Sequence, residues 1–209
     1  MEPKIVTAIP RPEYTAEQAL QRLKEGNARF VRGEARFPTV QKEVLADLAR
    51  EQHPYATILG CSDSRVPPEL LFDAGFGELF VIRVAGNVLG PAIEGTLQYA
   101  SQHLHTPLFV VLGHEGCGAV QAALAERLQG AHHASRIALL LQNIDPALDD
   151  LDPAMPPAKL LSAAVEANVR WTIRQLLESP EGKARLAQGD LKLVGAVYDL
   201  SSGRVRFLE

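Results

Sequence analysis

The chain has 209 residues, of which 46% are hydrophobic and 22% are charged, so it can build one ordinary globular core. Its formal net charge of −4 lacks the basic excess of a nucleic-acid-binding protein. No apolar stretch reaches the roughly 20 residues that a membrane span needs. The sequence therefore predicts neither a nucleic-acid partner nor a membrane partner.

The N-terminus predicts the cellular compartment. Residues 1–10 lack the basic segment and long apolar core of a secretory signal peptide, so we expect a cytoplasmic protein. A chain from which a signal peptide had been removed would look the same and would be periplasmic. The two cysteines do not suggest a disulfide framework in a chain of this length.

The first predicted element is an amphipathic helix. Thr15 is a candidate N-cap, and Gln18 follows it at the spacing of a capping box. Apolar residues then recur at helical spacing to about Arg32, and Gly33 ends the helix. A second amphipathic pattern covers residues 41–52.

These two patterns define an N-terminal helical arm, residues 1–52, in front of an α/β core, residues 53–209. We find no internal repeat and no low-complexity tract, so residues 1–209 are expected to form a single domain.

Short apolar runs without alternation follow the arm, and they are typical of parallel strands buried on both faces. The predicted strands lie at 56–60, 78–84, 108–113, 191–198 and 204–208. The predicted helices between them lie at 67–72, 93–104, 119–128 and 158–177. This alternation predicts an α/β fold with a central, mostly parallel sheet flanked by helices. Four strands are expected to be parallel, and the last, which follows a glycine-containing turn, to be antiparallel.

Both cysteines follow predicted strands. Cys61 and Asp63 come directly after the first core strand, while His114 and Cys117 follow the third. Ligands of parallel sheets bind beyond the carboxyl ends of the strands, so these side chains converge if the two strands are neighbours. Two thiols, an imidazole and a carboxylate are a ligand set that zinc prefers. The sequence therefore predicts a zinc site.

The role of Asp63 stays open at this point. It either completes a closed site as the fourth ligand, or lies beside a water molecule at the open position of a catalytic site. Arg65 bears on this choice, because a guanidinium can hold a carboxylate by paired hydrogen bonds and so keep it off the metal.

Three motifs together resemble the β-class carbonic anhydrases. They are Cys61-Ser-Asp63-Ser-Arg65, Phe80-Val-Ile-Arg-Val-Ala-Gly-Asn87 and Gly113-His114-Glu-Gly-Cys117-Gly118. The resemblance covers roughly residues 15–203. It implies a zinc lyase, a carbonic anhydrase (carbonate dehydratase), with one Zn²⁺ per chain.

The resemblance also implies a mechanism. Zinc-bound hydroxide would attack carbon dioxide and give bicarbonate and a proton, reversibly, because zinc lowers the pKa of bound water toward about 7. Asp63 would accept a hydrogen bond from that hydroxide, and Arg65 would hold Asp63 in place.

Further residues match substrate-binding positions of the family. Gln52 matches a glutamine that hydrogen-bonds substrate, while Phe80 and Tyr99 match aromatic residues of the pocket, supplied largely by the partner subunit. Val84 and Gly118 match wall positions near the metal. The resemblance implies a homodimer or a larger homo-oligomer, in which the N-terminal helix resembles an arm that wraps the partner.

One subtype of the family binds bicarbonate at a second site and moves the aspartate onto zinc at lower pH. That subtype typically has a tryptophan three residues before the first cysteine, where this chain has Ile58. Gln52 is similar to the subtype without this regulation. We therefore predict open coordination near and above neutral pH.

Three rival functions compete with carbon dioxide hydration. Relatives of the family hydrolyse carbonyl sulfide or carbon disulfide with the same ligands. A thiol enzyme with a phosphate-binding loop is disfavoured, because the segment from Cys61 to Arg65 is too short and Asp63 would repel phosphate. A purely structural zinc would not need Arg65 or an aromatic pocket.

Overall fold

The computed structural model describes residues 14–36, 45, 48–188 and 192–208. Strands β1 to β5 cover Ala56–Gly60, Leu79–Arg83, Leu108–His114, Lys192–Tyr198 and Val205–Leu208. Helices α1 to α7 cover Ala16–Val31, Pro68–Leu71, Pro91–Tyr99, Gly118–Gln129, Ser135–Leu141, Pro157–Glu178 and Pro180–Gln188. Single 3₁₀ turns lie at Ala85–Asn87 and Asp145–Leu148, and a π-helical turn lies at Ala100–Leu104.

The strands form one sheet in the order β2-β1-β3-β4-β5. The first four strands are parallel and β5 pairs antiparallel with β4, which confirms the predicted architecture. Since β1 and β3 are neighbours, with Gly60 opposite Leu112, the residues that follow these two strands leave the sheet side by side.

Both central strands are buried along their whole length, as their uninterrupted apolar sequences predict. Helix α6 packs closely on β3 and β4 because both strands carry a glycine beneath it. A Cβ atom at Gly113 would lie 2.6 Å from Val169 Cγ2, and one at Gly195 would lie 3.0 Å from Val169 Cγ1. These two positions therefore let the helix approach the end of the strand that carries His114.

Helix α1 confirms the predicted capping box. The Thr15 hydroxyl accepts a hydrogen bond from the Gln18 N–H, and the Gln18 side chain accepts one from the Thr15 N–H. The helix packs on the core of its own chain, where Ala19 and Leu23 are fully buried. The second predicted helix, 41–52, includes residues 41–44, 46 and 47, which lie outside the described residues.

Two helices of the structure have no counterpart in the sequence analysis. Helix α5 has seven residues, too few for a helical period to stand out. Helix α7 begins at Pro180, and Gly182 follows two residues later, a pair that in sequence indicates a break. Among the described residues no helix is both long and apolar enough to cross a bilayer.

Asn27 ties α1 to two other parts of the chain. Its buried side chain donates to the carbonyl oxygens of Leu71 (3.1 Å) and Gly203 (2.9 Å) and accepts from the Val205 N–H (2.9 Å). We expect Asn27→Ala to lower the free energy of unfolding by about 3 kcal/mol, because it leaves three backbone polar groups without their hydrogen-bond partner. The melting temperature should fall by roughly 6–12 °C in calorimetry.

Asn143→Ala is the matched control, since that half-buried amide donates, among the described residues, to the carbonyl oxygens of Leu139 and Leu140 in its own helical turn. Equal losses for the two variants would contradict the bridging role of Asn27.

Candidate metal centre

Three buried side chains meet beyond the carboxyl ends of β1 and β3. Cys61 follows β1, His114 is the last residue of β3, and Cys117 directly precedes α4. One ligand atom from each, the two sulfurs and a ring nitrogen, lies within 4.8 Å of the others. The convergence expected from the sheet topology is therefore present, with all three side chains shielded from solvent.

The orientation of His114 leaves one ring nitrogen for a ligand. Nδ1 lies 3.0 Å from the Glu115 carbonyl oxygen and donates to it when it carries the proton. Nε2 is buried and has no hydrogen-bond partner among the described residues. A buried imidazole nitrogen without a partner, beside two thiols, fits a zinc ion, because neutral imidazole and thiolates are its preferred donors.

The two thiols titrate as a pair. The hydrogen bond from Cys117, with further help from the His114 ring and the Gly86 N–H, outweighs burial and lowers the pKa of Cys61 well below its usual range. The same hydrogen bond, together with burial, raises the pKa of Cys117. One thiolate forms readily, and the second needs the positive charge that a bound dication supplies.

A tight turn brings His114 and Cys117 to the same point. Gly116 lies between them with φ +64°, in the left-handed region that favours glycine. Cys117 is the N-cap of α4, so its sulfur also lies at the positive end of a helix dipole.

Asp63 is held by Arg65 and lies outside the group of three. Arg65 Nε donates to Oδ1 (2.9 Å), Nη2 donates to Oδ2 (2.6 Å), and the Arg65 backbone N–H also donates to Oδ1 (2.9 Å). This pairing holds the pKa of Asp63 well below its usual range. Oδ2 lies 3.9 Å from His114 Nε2, so the ionised carboxylate stands beside the ligand cluster.

Arg83, which the sequence analysis did not select, fixes the backbone of this loop. Its Nε donates to the Cys61 carbonyl oxygen (2.9 Å) and its Nη2 donates to that of Asp63 (2.5 Å). The sequence does contain a signal for this role, because Arg83 is a charged residue at the end of an apolar strand. It pairs with Gly60, the last residue of β1.

The predicted pocket residues occupy two regions. Phe80 on β2 and Tyr99 at the end of α3 stack with ring centroids 6.2 Å apart, and Tyr99 is 48% exposed. Val84 follows β2 and is half-buried, whereas Gln52 and Gly118 are exposed. Gly118 begins α4, where an added Cβ would meet no atom within 4 Å. The aromatic pair thus presents a surface that a second chain could cover.

Comparisons with known proteins establish the family of the chain. The sequence family described as carbonic anhydrase matches residues 56–205. Carbonic anhydrase 2 of Mycobacterium tuberculosis is 38% identical over 194 residues, which is 92% of this chain and 93% of the relative. The structure of the β-carbonic anhydrase CcaA gives a TM-score of 0.72 at 28% identity, covering 91% of this chain and 87% of the other.

A further similar structure is one of two tetrameric β-carbonic anhydrases from Sordaria macrospora. Its TM-score is 0.72 at 25% identity, and the match covers 78% of this chain and 85% of that one. By its sequence, its sheet topology and the cluster at the carboxyl ends of β1 and β3, this chain is an enzyme that belongs to the β-carbonic anhydrases.

Proposed function

We propose that the protein hydrates carbon dioxide reversibly to bicarbonate and a proton, with one Zn²⁺ per chain on Cys61, His114 and Cys117. The observation that carries the proposal is the buried group of two sulfurs and one imidazole nitrogen, which has no hydrogen-bond partner within the described ranges. Catalytic zinc commonly takes three protein ligands and keeps a fourth position open.

A bound zinc ion would supply Lewis acidity that lowers the pKa of water toward about 7 and so makes hydroxide available at neutral pH. The side chains arrange the other reactants. The carboxylate of Asp63 is ionised, and both of its oxygens are acceptors. It can therefore accept a hydrogen bond from the attacking hydroxide and so direct the lone pairs of that hydroxide.

Arg65 favours this role of Asp63 over direct binding of the carboxylate to the metal. Both oxygens of Asp63 are engaged by the guanidinium, which disfavours a move of the carboxylate onto the metal. We therefore propose an open fourth position near and above neutral pH. A structure at pH 8 with Asp63 on the metal and Arg65 unpaired would contradict this arrangement.

We propose further that the pocket is completed by a second copy of the chain. The half-buried Phe80 and the exposed Tyr99 form an aromatic pair that suits the wall of a carbon dioxide pocket, with Gln52 as a hydrogen-bonding group. Val84 and Gly118 would form the wall nearer the metal. A homodimer is the minimum assembly for such a site, and the similar protein from Sordaria macrospora is described as tetrameric.

The cytoplasm remains the predicted location. The two free thiols lie close together, and a reducing compartment keeps such a pair available for a metal.

Stopped-flow measurement of carbon dioxide hydration, with zinc content determined on the same sample, tests the proposal. We expect about one zinc per chain and rapid hydration at pH 7–9. Full zinc occupancy without hydration in that range would overturn the proposed reaction. Release of hydrogen sulfide from carbonyl sulfide or carbon disulfide, faster than hydration of carbon dioxide, would establish the alternative substrate.

A further inference from the structure

The turn after β2 places a backbone donor on one of the proposed zinc ligands. The Gly86 N–H points at Cys61 Sγ, with nitrogen and sulfur 3.4 Å apart. The turn has an unusual backbone, because Gly86 has φ +69° and Asn87 has φ +45°. The left-handed conformation is uncommon for a residue with a side chain, so the surrounding structure must hold it.

Two buried side chains of helix α6 form hydrogen bonds with this turn. Asn168 Nδ2 donates to the Gly86 carbonyl oxygen at 2.8 Å, and Thr172 Oγ1 donates to the Asn87 carbonyl oxygen at 3.4 Å. The two side chains are one helical turn apart and at most 1% exposed. The hydrogen bonds to the carbonyl groups of Gly86 and Asn87 fix the orientation of the two peptide units that follow the Gly86 N–H.

Gly86 is also closely packed by other side chains. A Cβ atom at Gly86 would lie 2.8 Å from Ile144 Cδ1 and 3.1 Å from Ala119 Cβ. These contacts and the hydrogen bonds from α6 therefore both restrain the residue whose N–H donates to the sulfur.

The polar groups around the turn are only partly satisfied. Asn168 Oδ1 and Asn87 Nδ2 are buried and have no hydrogen-bond partner among the described residues. Buried polar atoms without partners are unfavourable, and they are found where a specific arrangement is needed. An apolar residue at 168 would avoid that penalty but could not hold the Gly86 carbonyl group.

We propose that Asn168, assisted by Thr172, is a positioning residue that keeps the Gly86 N–H on the Cys61 sulfur and so sets the donor strength of that thiolate toward zinc. A hydrogen bond to a metal-bound thiolate withdraws electron density from the sulfur, and groups behind the ligands tune a metal in this way. This inference rests on the proposed zinc site.

Asn168→Leu tests the proposal, because leucine has a similar branched shape and no donor. We expect zinc affinity, measured by competition with a chelator, to weaken by roughly 10- to 100-fold. Without the positioned N–H the Cys61 thiolate is less stabilised and its loop less well ordered for the ion, and this loss outweighs the stronger electron donation of a sulfur without the hydrogen bond. In the cobalt(II)-substituted protein the sulfur-to-cobalt charge-transfer band should move to longer wavelength, since a sulfur without the hydrogen bond gives up an electron more easily.

Thr172→Val is the second variant, since it removes only the weaker donor and should shift the same band in the same direction by less. Leu160→Ala is the matched control on the same helix, because it leaves a cavity at a buried apolar side chain. It should lower the melting temperature without moving the cobalt band.

The outcomes separate the two proposals. Failure of the unaltered chain to bind zinc would overturn the metal site itself. An unaltered chain that binds zinc, with the cobalt band unmoved in Asn168→Leu and Thr172→Val, would overturn the positioning role alone. If Asn168→Leu does not fold, the band of Thr172→Val decides.

Discussion

Replacement of His114 by alanine is expected to remove zinc from the protein and to reduce carbon dioxide hydration by at least about 10³-fold. The substitution takes away the imidazole nitrogen that is buried near two sulfurs and has no hydrogen-bond partner in the part of the chain that the structure describes. Two thiolates alone cannot hold a catalytic zinc ion with the geometry that three ligands give. Elemental analysis and stopped-flow hydration on the same sample measure both effects.

His132→Ala is the control, since His132 is exposed on a loop away from the cluster. It should keep one zinc per chain and full activity. Circular dichroism of His114→Ala establishes whether the fold is retained. A folded His114→Ala protein that keeps its zinc and its rate would show that the metal lies elsewhere.

Replacement of Arg65 by lysine is expected to leave zinc in place and to lower kcat/KM for hydration by roughly 10- to 100-fold. Lysine keeps the positive charge but offers no planar pair of donors, so it cannot engage both oxygens of Asp63 at once. The carboxylate then becomes free to turn toward the metal and compete for the open position. A crystal structure of the zinc-bound variant would show Asp63 on the ion.

The control is Arg206→Lys, which alters another arginine–carboxylate pair, with Glu166 at 2.8 Å, on β5, two strands across the sheet from β3. This change should leave hydration within about twofold, because exposed ion pairs contribute little. Equal activity of Arg65→Lys and the unaltered protein would argue against a role of the paired hydrogen bonds.

The sheet and the cluster of Cys61, His114 and Cys117 could be predicted because short local patterns in the sequence indicate both. The apolar runs at 56–60 and 108–113 indicate buried strands, and chemistry-bearing residues follow each run directly. Once the two strands are neighbours, the geometry of a parallel sheet brings Cys61 and His114 together. Local pattern and topology therefore point to the same three side chains, which the structure brings together.

The supporting residues were missed because they act over long distances in sequence. Asn168 and Gly86 are 82 residues apart, and no local pattern links them. A signal was nevertheless present: Asn168 and Thr172 lie four residues apart on the face of α6 that also carries Val165 and Val169. A polar residue on an otherwise apolar helical face needs a partner inside the protein.

The bridge made by Asn27 has a consequence for how the protein is synthesised. Two of its three hydrogen bonds join residues 176 and 178 positions apart. On the ribosome, helix α1 is made long before the turn that precedes β5, and it cannot complete its docking until that turn has emerged. Contacts this distant slow folding, and they leave the apolar face of α1 open to a chaperone for most of that time. A nascent chain stopped before residue 203 should therefore keep Leu23 accessible, although almost the whole sheet has already been synthesised.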